Sequence, residues 1–462
     1  MMKHFESMQH EYFRLKQKNK DYELQNIRIP PYPTNCLDEF GDIAAGICKY
    51  TSMSTIATMD YSRDGHGQSN TTNTPAVVSA IEFDKDGEYF VIAGIAHKMK
   101  LYDFDSVMDK PQAATPIAIL PTTIKVSNVC WNPFSKPILA TSYYNGSVQV
   151  WDCHASRILH TYTEHEKRCW SIQFNSMNEN LMASGSDDQK VKIWSLVQGN
   201  SVHTIDTKVL VCCVHFNPAT ETQLAFGGSG KSTDSTLRVW NIREDEAENV
   251  LEGHLNEKNF VGLATNGEHI VCGSESNEVY TYYKKCQRNV CKYDFAQDIT
   301  DDWSGIQVPR MCNSVHTIDT KVLVCCVHFN PATETQLAFG GSGKSTDSTL
   351  RVWNIREDEA ENVLEGHLNE KNFVGLATNG EHIVCGSESN EVYTYYKKCQ
   401  RNVCKYDFAQ DITDDWSGIQ VPRMCTTDSS SDFVSALCWK KESNIVMAAN
   451  SQGKAQILQL SP

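Results

Sequence analysis

Short strand-like segments that close on an aromatic recur through this chain at nearly constant spacing, and that recurrence restricts the fold more than any other feature. The closing residues are Tyr102, Trp151, Trp194, Trp240, Tyr283, Trp353 and Tyr396, with Leu458 ending the last and most degenerate unit. The gaps between them are 49, 43, 46, 43, 70, 43 and 62 residues. Within a unit, a strand ending in Phe or Trp is followed by a turn, a small-residue strand, a polar turn and a strand ending in the aromatic. The clearest unit runs from Cys169-Trp170-Ser171-Ile172-Gln173-Phe174 through Leu181-Met182-Ala183-Ser184-Gly185-Ser186 to Val191-Lys192-Ile193-Trp194. Six residues before the closing aromatics stand the turn-formers Asn145, Asp188, Asp234, Asn277, Asp347 and Asn390. An Asp in that turn accepts backbone N–H bonds and the N–H of a histidine ahead of the unit. His165, Ser184 and Trp194 are therefore expected to join Asp188 in one buried network.

Units of this length with short strands point to an all-β fold, a WD40 β-propeller of four-stranded blades. Eight motif sets start near residues 76, 124, 166, 208, 255, 321, 368 and 431, which places the propeller at 76–460. Residues 200–312 recur letter for letter as 313–425. Even the surface run Arg243-Glu244-Asp245-Glu246-Ala247-Glu248 reappears from Arg356. No physical requirement fixes a solvent-facing Glu that tightly, so this unit was copied recently, in the gene or in the assembly of its sequence. Without the copy six sets remain. The segment 56–61 is a strand ahead of the first set and is expected to supply the outer strand of the last blade. An unpaired edge would otherwise remain.

The flanks read differently. In residues 1–24, Phe5, Met8, Tyr12, Leu15, Asn19 and Tyr22 follow the 3-4 spacing of a coiled-coil seam. A short N-terminal helix, the end of a coiled coil able to pair with a like or unlike chain, is expected there. Residues 25–75 read as linker apart from the strand at 56–61, because Ile29-Pro30-Pro31-Tyr32-Pro33 ends any helix. A net charge of −15 argues against direct nucleic-acid binding. No apolar run of membrane-spanning length and no secretory h-region occur. The eighteen cysteines lack framework spacing, and the adjacent Cys212 and Cys213 cannot both point into one core from a strand. Reduced thiols in the nucleus and cytoplasm are the expectation.

Glu164-His165-Glu166-Lys167-Arg168-Cys169-Trp170-Ser171, the following Gly-Ser-Asp-Asp-x-Lys-Val-Lys-x-Trp, Gly253-His254-Leu255-Asn256-Glu257-Lys258-Asn259-Phe260-Val261-Gly262 and Ala448-Ala449-Asn450-Ser451-Gln452-Gly453 form a specific constellation. It closely resembles the WD-repeat domain of the constitutively photomorphogenic family of RING-type ubiquitin ligases, with the plant suppressor relatives next nearest. The resemblance runs from about His4 to the C-terminus. It implies a coiled coil, then a seven-bladed propeller that captures degrons built around Val-Pro. It also implies partners such as transcription factors and pseudokinase-like adaptors, and RING or cullin-4 ligase components. No Cys/His array with RING spacing occurs in these 462 residues, so a RING module would have to be supplied elsewhere. The run Leu224 to Asp234 joins what resembles the start of the family's fourth blade to the end of its fifth. Six sets and the one missing there restore the family's seven.

Carried over by motif, the peptide slot involves Tyr144, Trp170 and Phe260, with Lys125 and Arg168 as positive charge and Glu257 as an orienting carboxylate. Glu370 and Phe373 are the duplicate copies of Glu257 and Phe260. The residue types suit the task without the family. Aromatics at a propeller mouth give rigid apolar area at low entropy cost, and Arg offers a fork for a carboxylate. The opposite reading makes Trp170 a core aromatic of its strand and Arg168 a solvated loop residue. Tyr143 and Asn145 stand where the family carries acidic residues, which alters the local charge. No catalytic residue, metal site or cofactor is expected: Gly230-Lys231-Ser232 lacks the earlier Gly of a phosphate loop. Trp240-Asn241-Ile242-Arg243 resembles the Trp-Asp-x-Arg mark of propellers that dock onto cullin-4 adaptors, with Asn for Asp. The function implied is degron recognition in a ubiquitin-ligase system. The alternatives are a non-catalytic assembly scaffold and a cullin-4 adaptor-bound substrate receptor.

Overall fold

Strands of three to nine residues, most of them of five to seven, are separated by tight polar turns and fold back on their neighbours as antiparallel meanders. The computed structural model describes residues 36–62, 76–230, 237–251, 262–274, 278–283, 316–319, 323–333, 336–342, 350–354, 359–369, 375–408 and 432–462, with positions 8, 9, 12, 13, 254 and 256 besides. Eight four-stranded sheets result. Blade 3 is typical, with Cys169–Phe174 innermost, then Leu181–Ser186, Lys190–Ser195 and Ser201–Asp206 outermost. Each first strand packs on the next blade's first strand, and that of blade 8 returns to that of blade 1, so the ring closes. Both faces of a middle strand are therefore covered by protein. Small residues follow from that cover. A Cβ on Gly185 would sit 2.5 Å from Val211 Cγ1 of the next blade. The same two-sided cover buries both Cys212 and Cys213, in two inter-blade layers and not in one core.

Closure depends on the chain's early strand. Ser52–Asp60 pairs antiparallel with Lys454–Ser461, from Ser52 opposite Ser461 to Asp60 opposite Lys454. It is the outer strand of blade 8, whose other members are Val434–Trp439, Ile445–Asn450 and Lys454–Ser461. Tyr61 then donates its hydroxyl to the Lys98 carbonyl at 2.7 Å, tying the closing strand to blade 1.

The ring holds eight blades, not the seven that the family resemblance implies. The reason lies in the phase of the copied unit. It begins between the third and fourth strands of blade 3, so its second copy carries an outer strand, the whole of blade 6 and all four strands of blade 7, the last being Asn402–Asp407. Ser201–Asp206 completes blade 3, and His316–Asp319, identical to its last four residues, completes blade 5 in the same register. Asp206 faces Lys190 in one, and Asp319 faces Glu278 in the other. Two blades enter without an orphaned edge. The second copy rebuilds the local bonds as well. Asn217 Nδ2 donates to Gln223 Oε1 at 2.7 Å and the Gly267 carbonyl at 3.1 Å, and Asn330 repeats both at 2.8 and 2.9 Å. The sequence join near residue 230 is absorbed inside blade 4. There Gln223–Ser229 pairs with Leu210–Phe216 on one side and Leu237–Asn241 on the other.

Two expectations shift. Register places Tyr282 and Tyr395, not Tyr283 and Tyr396, at the position of Trp194, since Ile270 faces Tyr282 and Ile383 faces Tyr395 as Met182 faces Trp194. Tyr282 and Tyr395 are buried and hydrogen-bond through their hydroxyls to His254 and His367 at 3.0 and 3.1 Å. Residues 25–50 are also not linker throughout, because Cys36–Lys49 is a 14-residue helix. Phe40, Ile43 and Ile47 lie on one face at helical spacing, and Ile43 and Ile47 are fully buried against blades 7 and 8. Of residues 1–24, Met8, Gln9, Tyr12 and Phe13 are helical, and the Tyr12 ring meets Phe40 edge-on at 5.4 Å. Phe5, Leu15, Asn19 and Tyr22 of the coiled-coil seam lie outside the described residues.

The network expected around Asp188 is present. His165 Nδ1 meets Asp188 Oδ2 at 2.8 Å, His165 Nε2 meets Ser184 Oγ at 2.8 Å, and Trp194 Nε1 donates to Ser184 Oγ at 2.8 Å. Backbone N–H groups of Glu166 and Lys190 complete the carboxylate's partners. Burial alone would push the Asp188 carboxyl up, but the bonds from His165 and the two N–H groups outweigh it and hold it below the usual carboxylate range. A depressed folded value stabilises above the unfolded value and is lost as pH falls through the folded one. Asp188→Asn should cost about 2 kcal/mol in urea unfolding at pH 7, since it breaks a buried charge-assisted bond. That difference should stay flat from about pH 5 to 8 and shrink below about pH 4.

Glu82 behaves oppositely. It sits on blade 1's innermost strand between Cys130 and Cys438, the equivalent positions of the flanking blades, and its Oε2 is buried without a hydrogen-bond partner. Burial pushes its carboxyl up to about 8, only partly offset by the Trp131 backbone N–H. A raised folded value means that stability is complete below the unfolded value and declines as pH rises towards the folded one. Glu82→Gln should match wild type near pH 4.5 and gain stability on it steadily as pH rises towards about 8. Thermal melts across that range measure it.

Candidate functional site

Loops between blades and turns between second and third strands emerge on the same rim of the ring, and the predicted slot lies there on blades 2 and 3. Tyr144 follows the second strand of blade 2, Ile138–Tyr143. Its backbone N–H donates to the Lys125 carbonyl at 3.1 Å, which joins the loop ahead of blade 2 to that turn. Asn145 accepts from the Ser147 N–H at 3.0 Å and hydroxyl at 2.7 Å, fixing a tight Asx turn. Gly146 closes it at φ +89°, and a Cβ there would lie 2.3 Å from the Lys167 carbonyl of blade 3. Only glycine lets the turn press so closely on the segment carrying Arg168.

That approach builds the site. The Tyr144 and Trp170 rings stand 5.8 Å apart, tilted by 58°. The Arg168 guanidinium carbon lies 5.0 Å from the Tyr144 ring and 4.6 Å from that of Trp170. One cation thus rests on two π faces, an arrangement worth more as water is excluded. Trp170 is only half-buried, and its Nε1 donates to Asp187 Oδ1 at 2.8 Å. The other Asp187 oxygen is 3.7 Å from Arg168 Nε, and the Asp187 N–H donates to the Arg168 carbonyl at 2.9 Å. Trp170 therefore belongs to the rim, not to the core of its strand, and Arg168 is a placed cation, not a solvated loop residue.

The structure brings Tyr144, Arg168 and Trp170 together and sets exposed Lys125 on the adjoining loop. Glu257 and Phe260, with their copies Glu370 and Phe373, lie outside the described residues. Asp187 is a site residue that motif reasoning passed over. It stands beside the network carboxylate Asp188 and orients both Trp170 and Arg168. The doubled acid in Ser186-Asp187-Asp188 was its signal, one carboxylate more than the turn uses. Tyr143 turns inward and donates its hydroxyl to Gln149 Oε1 at 2.7 Å, so it lends the rim no charge. Among the turn residues, Asn390 adopts φ +60° and accepts from Asn450 Nδ2 at 3.2 Å. Asp234, Asn277 and Asp347 lie outside the described residues.

An aromatic pair, a clamped cation and an exposed lysine can bind but carry no nucleophile or acid–base pair. They suit an extended peptide that offers a compact apolar element to the rings and carboxylates to the cations.

Comparison with known proteins gives this site a setting. The WD domain, G-beta repeat family matches residues 156–195, the unit containing Arg168, Trp170 and Asp188. The chain is similar to E3 ubiquitin-protein ligase COP1 of Arabidopsis thaliana, 30% identical over 93% of this chain and 50% of that protein. It is similar to Protein SPA1-RELATED 4 of the same plant, 31% identical over 90% of this chain and 42% of that one. The chain thus spans half or less of the length of these relatives. A computationally designed protein, Ika8, shares the fold alone, with a TM-score of 0.60 and 16% identity over 89% of this chain and all of that one.

Proposed function

Since this chain is homologous to the COP1- and SPA-type WD-repeat proteins, we propose that its propeller is the substrate-recognition part of a ubiquitin-ligase system. In this reading the rim of blades 2 and 3 captures peptides built around Val-Pro with acidic residues upstream, and a RING module elsewhere carries out the transfer. The observation that carries the reading is the Arg168 guanidinium seated between the Tyr144 and Trp170 rings. Val-Pro is short, apolar and conformationally restricted, so it packs on rigid rings with little entropy to lose. Upstream carboxylates meet Arg168, and exposed Lys125 adds charge on the adjoining loop. Asp187 counters part of that charge. It also keeps Arg168 over the rings before a ligand arrives, which lowers the ordering cost of binding.

A synthetic peptide with an acidic run two to five residues before Val-Pro should bind with micromolar affinity in calorimetry. Truncating an aromatic at the centre of a small interface costs about 2 kcal/mol or more, near thirtyfold. Trp170→Ala should therefore remove measurable binding. Arg168→Ala should weaken it and flatten its salt dependence, because a screened charge pair is lost. Circular dichroism confirms folding of both variants. Undiminished affinity in a folded Trp170→Ala protein would discard the slot.

A further inference from the structure

Blades 8, 1, 2 and 3 each present one residue at the same place on the rim, just ahead of the innermost strand. Its carbonyl accepts the first N–H of the turn between that blade's second and third strands. Val77 accepts from Ile95 at 3.1 Å in blade 1, and Lys125 from Tyr144 at 3.1 Å in blade 2. Arg168 accepts from Asp187 at 2.9 Å in blade 3, and Phe433 from Ser451 at 2.9 Å in blade 8. The joints between blades correspond as well. A Cβ on Gly453 of blade 8 would fall 2.8 Å from the Ala76 Cβ, as one on Gly146 of blade 2 would fall 2.3 Å from the Lys167 carbonyl. Val77 therefore stands to blade 8 as Arg168 stands to blade 2, and Ile95 stands to Lys125 as Tyr144 stands to Arg168.

Chemistry changes along this arc. Arg168 and Lys125 are cations, whereas Ile95, Val77 and Phe433 are apolar and only half-buried. Next to Phe433, Asp432 accepts from Gln452 Nε2 at 2.7 Å and adds a negative charge. On the other side of the slot, the joint of blades 3 and 4 has Leu210 at this place and the carboxylate of Asp187 in the facing turn. We propose that Ile95, Val77 and Phe433 form a further subsite, which takes an apolar side chain lying ahead of the acidic run in the same bound peptide. This inference rests on the Val-Pro reading above. With Val-Pro on the Tyr144 and Trp170 rings, upstream carboxylates that reach Lys125 as well as Arg168 carry the chain towards blade 1. The apolar shelf comes next on that path. An apolar side chain gains there by covering half-exposed carbon, whereas a further carboxylate would leave the cations behind and meet Asp432. Selectivity then lies in the order apolar, acidic, Val-Pro, which a bare Val-Pro pair does not carry.

The test compares three synthetic peptides by calorimetry on the full chain. All carry Val-Pro with the acidic run two to five residues before it. One has alanines immediately ahead of that run, one has leucines there, and one has the leucines after Val-Pro instead. The peptide with leading leucines should bind roughly fivefold tighter than the alanine peptide, and the one with trailing leucines should match the alanine peptide. The leucine-to-alanine affinity ratio should fall to near one in Val77→Thr, which keeps the side chain's shape. Ile95→Thr and Phe433→Ser give independent losses should Val77→Thr fail to fold, with circular dichroism as the check. Equal affinity of the alanine and leading-leucine peptides would overturn the subsite while leaving the slot standing. So would a gain that survives all three substitutions, or one that comes from leucines after Val-Pro. Failure of every peptide to bind would overturn the slot reading and the subsite with it.

Discussion

Everything in this ring hangs on the antiparallel pairing of Ser52–Asp60 with Lys454–Ser461. Most blades are a meander of strands adjacent in sequence and need only local turns to form. The last is different: its outer strand comes from the opposite end of the propeller, about four hundred residues away in the chain. Forming that pair spends the loop entropy of the entire domain in one step and removes the one edge that a linear row of blades would leave open. The two-sided burial of middle strands exists only once the circle is complete, because blades 1 and 8 otherwise lack a neighbour. The pairing also fixes where the helix Cys36–Lys49 can lie, since only a short connection separates it from the closing strand.

The rim site inherits its precision from that closure. Tyr144 and Arg168 belong to different blades, and their approach is set by the packing of one sheet on the next. Gly146 lets backbone meet backbone there, and Asp187 fixes the ring and cation that meet across the join. Such a site resists small local changes within either blade and is sensitive to the angle between them. Ring size therefore bears on recognition even though Tyr144, Arg168, Trp170 and Asp187 lie outside the copied unit.

The architecture was legible because blade-forming positions leave strong local traces. Alternation, small residues in middle strands and the Asp188 turn each arise within a few residues of chain. Six of the eight motif sets start within three residues of a first strand, and those near 255 and 368 start eight residues ahead of theirs. What escaped depended on partners distant in sequence. The helix Cys36–Lys49 has an apolar stripe in Phe40, Ile43 and Ile47, but the prolines before it suggested linker, and its stability comes from blades 7 and 8. Tyr282 and Tyr283 are indistinguishable by composition; only pairing with Ile270 assigns the first to the core and leaves the second on the surface. Asp187 could be read as a turn residue like its neighbour, and its role became visible only with Trp170 and Arg168 beside it. Eight blades instead of seven follow from where the copy begins within a sheet, a matter of strand phase that counting motifs does not reveal.

A strand that reads its neighbour through backbone groups is portable. Ser201–Asp206 and His316–Asp319 close sheets whose third strands, Lys190–Ser195 and Glu278–Tyr283, have little sequence in common. Recombination breakpoints placed just ahead of such a strand yield descendants with whole numbers of blades. The copied segment also carries a closing strand of its own, Asn402–Asp407 in blade 7, which leaves the extra strand at its head to complete the blade before it. A lineage can move from six members to eight in a single genetic event without passing through a ring that exposes a bare sheet edge to its neighbours in the cell.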